Sequence, residues 1–177
     1  TRRARLLLTG PTSFYASSPF PRDGGRYPGR VIELELTGIA HGGEALGRVE
    51  GRVHFVEGAL PGERVRGDIT KDGRAWARLD LREVLRPSPD RVAPPCPYFG
   101  ACGGCQWQFA AYSAQLEWKR EIVRGQLAHL GGLAEPPVRP TVVAGPPFRY
   151  RNRVDLQVVD GRPALLRRRS HAVVPVE

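Results

Sequence analysis

The chain has 177 residues, 41% of them hydrophobic, and a net charge of +9, which suits one medium domain or two small ones. No apolar run approaches the roughly 18 residues of a membrane span, and Leu6–Leu8 is far too short for a secretory signal core, so no membrane partner is expected. Three cysteines, an odd number held within ten residues, argue against a disulfide scaffold and for a reducing, cytoplasmic setting.

Residues 1–29 carry Arg, Ser, Pro and Gly with a single acid, and read as a disordered basic extension and linker; an organelle transit peptide is the weaker alternative. At 31–36, Ile32, Leu34 and Leu36 alternate with Glu33 and Glu35, the period of a half-buried strand. Glu50-Gly51 separates two β-prone pieces and predicts a hairpin. In 76–82, Ala77, Leu79 and Leu81 oppose Trp76, Arg78, Asp80 and Arg82. Short glycine-broken strands at this spacing predict a small five-stranded OB-like barrel over residues 30–88. Residues 31–90 hold nine basic and eleven acidic side chains, so a nucleic-acid face here has to be local. Arg48, Arg52, Arg64, Arg66 and Arg78 are candidates for it, against the plainer reading of solvated strand faces paired with acids. His41 and His54 read as ordinary surface or loop residues.

Prolines at 87–97 mark a crossing into a second unit, residues 89–177, which reads as an α+β segment opening on a cysteine loop. Cys96, Cys102 and Cys105 form a C-x5-C-x2-C pattern. Thiolates are soft donors that select zinc or an iron–sulfur cluster over hard cations. Gly103 and Gly104 let the backbone turn so that Cys102 and Cys105 face one centre. Both zinc and a four-iron cluster want a fourth ligand. His129 and His171 stand at no ordinary finger spacing, and residue chemistry leaves zinc and iron–sulfur open.

Residues 113–130 predict a helix with Leu116, Val123, Leu127 and Leu130 on one stripe, Ser113 as its cap and Gly131 as its stop. Residues 148–175 predict a hairpin turning near Asp160-Gly161. Arg149, Arg151 and Arg153 alternate, which places them on one strand face, with Arg167 and Arg169 on the facing strand and Arg168 across from them. Together they predict a basic stripe for phosphates, with Tyr150, Trp107, Phe148 and Phe99 available to stack on splayed bases. Residues 91–177 carry twelve basic and six acidic side chains, consistent with a polyanionic partner.

The stretch PSPDRVAPPCPYFGACGGCQWQFAAYSAQLEWKREIV resembles the SAM-dependent RNA (uracil-5-)-methyltransferase family, in its iron–sulfur subgroup. FRYRNRVDLQV and RRRSHAVVPVE carry the same resemblance, and IAHGGEALGRVEGRVHFVEGALPGERV is similar to that family's TRAM domain. The resemblance covers residues 31–177. It implies that Cys96, Cys102 and Cys105 hold a 4Fe-4S cluster whose fourth ligand follows Glu177, and that this chain is an N-terminal part of a longer protein. It further implies RNA, ribosomal RNA above all, as the partner of a monomeric whole protein. S-adenosyl-L-methionine, the catalytic cysteine and the proton-abstracting carboxylate belong to a domain beyond this chain, so no catalytic residue is assigned and the chain alone is expected to be inactive. Phe109 departs from the family pattern, which commonly has His there. Two other readings are a complete zinc-binding RNA module and a radical-SAM methylthiotransferase. The second has a shorter first cysteine gap and carries its barrel after the catalytic part.

Overall fold

A computed structural model describes residues 30–143 and 145–177. The expected basic extension at 1–29 lies outside them. Six strands make the first sheet: β1 (Val31–Glu35), β2 (Gly38–Ile39), β3 (Ala45–Val49), β4 (Arg52–Val56), β5 (Arg64–Asp72) and β6 (Trp76–Arg86). Their order is β1-β5-β6-β4-β3-β2, antiparallel throughout except for the parallel β4–β6 pair. β1 and β2, at the two ends of that order, are halves of one bent strand. Leu36 N–H still bonds on the β5 side, to Glu63 O, whereas Thr37 N–H bonds to Leu46 O of β3. The strand therefore changes partner at Leu36-Thr37 and closes the sheet into a five-stranded barrel, as expected.

Closure needs a close backbone approach, and Gly47 provides it: a Cβ there would run into the Glu35 carbonyl and lie 3.1 Å from Leu34 Cδ1. The alternation read from β1 and β6 fills the interior. Leu34, Leu36, Val56, Val65, Ala77, Leu79 and Leu81 are all buried there. His54 corrects its expectation, because it points into the barrel and is buried, with Nδ1 3.1 Å from Arg52 O. The β3–β4 hairpin turns at Glu50-Gly51, both residues at positive φ (50° and 78°), the backbone of a two-residue primed turn.

The second unit has one helix, α1 (Tyr112–His129), and a three-stranded antiparallel sheet of β7 (Gln157–Val159), β8 (Arg162–Leu166) and β9 (Val173–Pro175). Asp160-Gly161 makes the β7–β8 turn as read, again with both φ positive. α1 begins earlier than expected. Ala111 precedes it and no side chain caps its first turn, so Ser113 is not the cap. Instead Gln115 Nε2 reaches back to the carbonyls of Trp107 and Ala110, at 3.0 and 2.9 Å. The leucine stripe is not the packed face either. Val123, Leu127 and Leu130 are exposed, and Trp118 is the buried residue, because it wedges against Trp107 beside Phe109.

Candidate nucleic-acid interface

The second unit is fastened to the barrel by a buried ion pair that the sequence did not signal. Glu63, in the β4–β5 connection, is fully buried and receives two hydrogen bonds from Arg91, at 2.6 and 2.8 Å. Leu60 N–H and Ser88 N–H also donate to the carboxylate, and Arg91 donates to Gly58 O at 2.9 Å. Phe109 lies under the same guanidinium, 4.8 Å from ring centroid to Arg91 Cζ, with only 1% of its surface exposed. A phenyl ring where the resembling family has His is thus a core residue of this junction. Nothing in the residues around positions 63 and 91, far apart in sequence, could have paired them in advance.

The cysteine loop runs between this junction and α1. Trp107 Nε1 donates to Gly43 O at 2.9 Å, and its ring meets Trp118 edge-on at 5.8 Å. Trp107 therefore bolts the loop to the barrel's β2–β3 connection, with its half-buried ring at the rim of the cleft described below. Phe99 packs on Phe109 at 5.8 Å. On the other side the loop is laced to the small sheet. Cys102 bridges Arg167 in the antiparallel sense, and Gly103 N–H donates to Leu166 O at 3.0 Å. Gly104 N–H donates to Cys102 Sγ at 3.3 Å, the N–H···S arrangement that stabilises a thiolate.

All three cysteines are free thiols; Cys96 and Cys102 are half-buried and Cys105 is exposed. The donor set suits a soft metal or cluster in kind and is one ligand short in number. Among the described residues, no group of three or more His, Cys, Asp or Glu is gathered closely enough to hold a metal ion.

Between the loop and the chain after α1 lies an open cleft of about 1340 Å³. Gly104, Cys105, Trp107, Lys119 of α1 and Phe148–Arg151 are among the residues that line it. Five of the expected RNA contacts meet here: Trp107, Phe148, Arg149, Tyr150 and Arg151. Tyr150 is 70% exposed, with Arg151 Cζ 5.7 Å from its ring centre. The reason they meet differs from the expected one. Residues 148–156 are not a strand, since β7 begins only at Gln157, so Arg149, Arg151 and Arg153 share no strand face. Arg149 sits in the left-handed region at φ 60°. Arg153 stays outside the cleft and pairs with Asp155 at 3.2 Å.

Arg167, Arg168 and Arg169 form no facing strand, because β8 ends at Leu166; Arg167 bridges Cys102, and Arg168 and Arg169 lie in the following turn. Arg168 and Arg169 both reach Glu57 of the barrel, the latter at 3.4 Å, so they act on one side and as a clasp. Lys119 of α1 also lines the cleft and was not among the expected contacts.

On the barrel, four of the five candidate arginines are tied to carboxylates. Arg52 pairs with Asp72, Arg64 with Glu33, Arg66 with Glu33 and Glu83, and Arg78 with Glu44. Hydrogen bonds from Arg66, then its charge and the nearby Arg64, hold the Glu33 carboxyl below the ordinary carboxylate range. Arg48 meets only a carbonyl, Gly51 O, at 3.3 Å.

Comparison with known proteins adds to this geometry. The TRAM domain family matches residues 25–78. An uncharacterized RNA methyltransferase of Gloeobacter violaceus is 37% identical over 155 residues, 84% of this chain and 34% of that protein. One from Streptomyces avermitilis is 41% identical over 165 residues, 84% of this chain and 38% of that protein. The 23S rRNA (uracil(1939)-C(5))-methyltransferase RlmD of Alkalilimnicola ehrlichii is 40% identical over 133 residues, 75% of this chain and 30% of that protein. The chain thus spans about a third of the length of the curated relatives it matches.

Proposed function

We propose, from the premise that the chain belongs to the TRAM-domain RNA methyltransferase family, that it is the RNA-binding and cluster-holding portion of a SAM-dependent RNA (uracil-5-)-methyltransferase acting on 23S rRNA. The uracil-5 and ribosomal parts of this reading are supported by the similarity to RlmD. The observation that carries the RNA-binding part is the cleft, where an exposed tyrosine, two arginines without ion pairs among the described residues, a lysine and an indole converge on one concavity. Cations neutralise phosphates with release of counterions, and the rings offer faces to unstacked bases.

Cys96, Cys102 and Cys105, not gathered closely enough here to share a metal ion, would have to draw together to hold a 4Fe-4S cluster with one donor from outside this chain. When bound, such a cluster crosslinks the loop through its thiolates, and that structural role is the one assigned here. The chain's own residues orient the loop for it: Trp107 anchors one end on Gly43, and Leu166 and Arg167 hold the middle. Methyl transfer from S-adenosyl-L-methionine belongs to the portion of such proteins that this chain does not span. The chain incubated with that donor and uridine-containing RNA is therefore expected to give no 5-methyluridine. The whole protein is read as a cytoplasmic monomer.

Filter binding of a uridine-rich 23S rRNA fragment tests the cleft. The double variant Tyr150→Ala, Arg151→Ala is expected to bind about tenfold more weakly or worse, with its melting temperature unchanged, since both side chains are exposed. Equal binding by the double variant and the parent chain would refute the cleft as the RNA site. Anaerobic isolation of the longer natural protein tests the cluster separately, because iron and a brown colour are expected, whereas a colourless protein holding one zinc would overturn it.

A further inference from the structure

The barrel closes on its own core, but the second unit does not. Among the described residues, α1 gives only Trp118 and Ala114 to a buried cluster, and the β7-β8-β9 sheet gives none. Exposed large apolar side chains follow the same division. The barrel strands show Val31 and Trp76, whereas most of the others lie between Val123 and Leu166. A helix or a sheet buries its apolar face against a second layer in a stable domain, and here α1 and the small sheet share no such layer.

The outer edge of α1 is the best defined of these faces. Val123, Leu127 and Leu130 recur at i, i+4 and i+7, so they form one edge of the helix, and they are 48%, 38% and 81% exposed. Past the helix end the chain turns at Gly132, φ 67°, and Leu133 N–H donates to Leu127 O at 3.2 Å. That turn brings a fourth exposed apolar residue to the edge. The first half of α1 is covered. Thr141 Oγ1 donates to Leu116 O at 2.8 Å and Arg120 Nε to Val138 O at 3.1 Å, so the returning chain crosses α1 there and leaves the edge from Val123 onward bare. Charges beside the edge are engaged within the helix: Arg120 pairs with Glu117 and Arg124 with Glu121. Those guanidiniums are not offered to a polyanion, and the edge fits an apolar occupant.

We infer that this edge, from Val123 to Leu133, is the seat of the portion of its own polypeptide that this chain does not span. About two-thirds of each relative named above lies outside the matched span, so a large body of chain is available to cover it. Four side chains are far fewer than the roughly 20–30 residues a side of a stable complex between free molecules. A tethered partner needs less, because the tether raises its effective concentration. That favours the same polypeptide over a second copy or an unrelated protein. The inference rests on the proposed function only in taking the chain as part of a longer protein; it uses neither the cleft nor the cysteines.

The test compares one set of substitutions in two backgrounds, the 177-residue chain and the longer natural protein. Val123→Ala, Leu127→Ala and Leu130→Ala together trim the edge without weakening the helix, since Ala is the strongest helix former. In the 177-residue chain the triple variant is expected to melt within about 1 °C of the parent, because the three side chains are already largely in water. In the longer protein it is expected to melt about 5 °C lower or more, because the same truncation now empties a packed contact. Leu130→Ala alone should show a smaller drop of the same kind. Leu127→Met with Leu130→Met keeps the volume and should melt within about 2 °C of the longer parent.

Equal melting of the triple variant and its parent in the longer protein overturns the inference. So does a drop of the same size in both backgrounds, which places the edge in this chain's own fold. Sedimentation separates the remaining occupant. If the 177-residue chain is a dimer that the triple variant makes monomeric, and the longer protein melts unchanged, the seat belongs to a second copy and the inference falls. None of these readouts involves RNA or iron, so the proposed function stands or falls apart from it.

Discussion

Glu63 and Arg91 show how much one side chain pair can decide. Both are almost fully removed from water, and the carboxylate also satisfies two backbone N–H groups. Replacing one partner leaves the other charge buried without compensation, a loss of about 3–5 kcal/mol. Glu63→Gln is therefore expected to lower the urea midpoint sharply, whereas a rim substitution such as Arg153→Gln should leave it in place. Urea denaturation followed by tryptophan fluorescence checks this, since Trp107 and Trp118 lie in the cluster around Phe109. Phe109 belongs to the same argument: its ring covers Arg91, so a polar residue at 109 would have to share that guanidinium.

Among the elements, those whose neighbours in sequence are also neighbours in space were legible beforehand. The alternation in β1 and β6 named the barrel core correctly, and Glu50-Gly51 and Asp160-Gly161 named two of the hairpin turns, because register and turn geometry are local properties. Residues 148–156 alternate just as well yet form no strand, since pairing depends on a partner that periodicity cannot supply. The helix was legible in extent but not in facing: the apolar stripe stayed outside once Trp118 found Trp107. Barrel closure rests on a contact only the fold reveals. Gly47→Ala is expected to destabilise the barrel by about 1–3 kcal/mol, because its new methyl meets backbone rather than a movable side chain. Gly51→Ala, with φ at 78° and open space around it, should cost about 1 kcal/mol. Thermal unfolding of the two variants gives the ranking.

Taken whole, the molecule is two sheets held by a narrow set of ties: the Glu63–Arg91 pair, the Trp107 bolt and the Glu57 clasp on Arg168 and Arg169. The cleft and the clasp were only partly legible, because both join residues far apart in sequence. Glu57→Ala should loosen the β8–β9 turn by about 1 kcal/mol. That amounts to about fivefold faster tryptic cleavage at Arg167–Arg169, with the barrel's own melting unchanged. The shared bent strand has one more outcome. Because the bent strand pairs with β5 at one end and β3 at the other, the barrel offers a foreign strand less free edge than an open sheet of the same strands would. The β7-β8-β9 sheet keeps two bare rims, and β7 shows Val158 at 75% exposure. Self-association of this chain at high concentration would begin at those rims and leave the barrel a bystander.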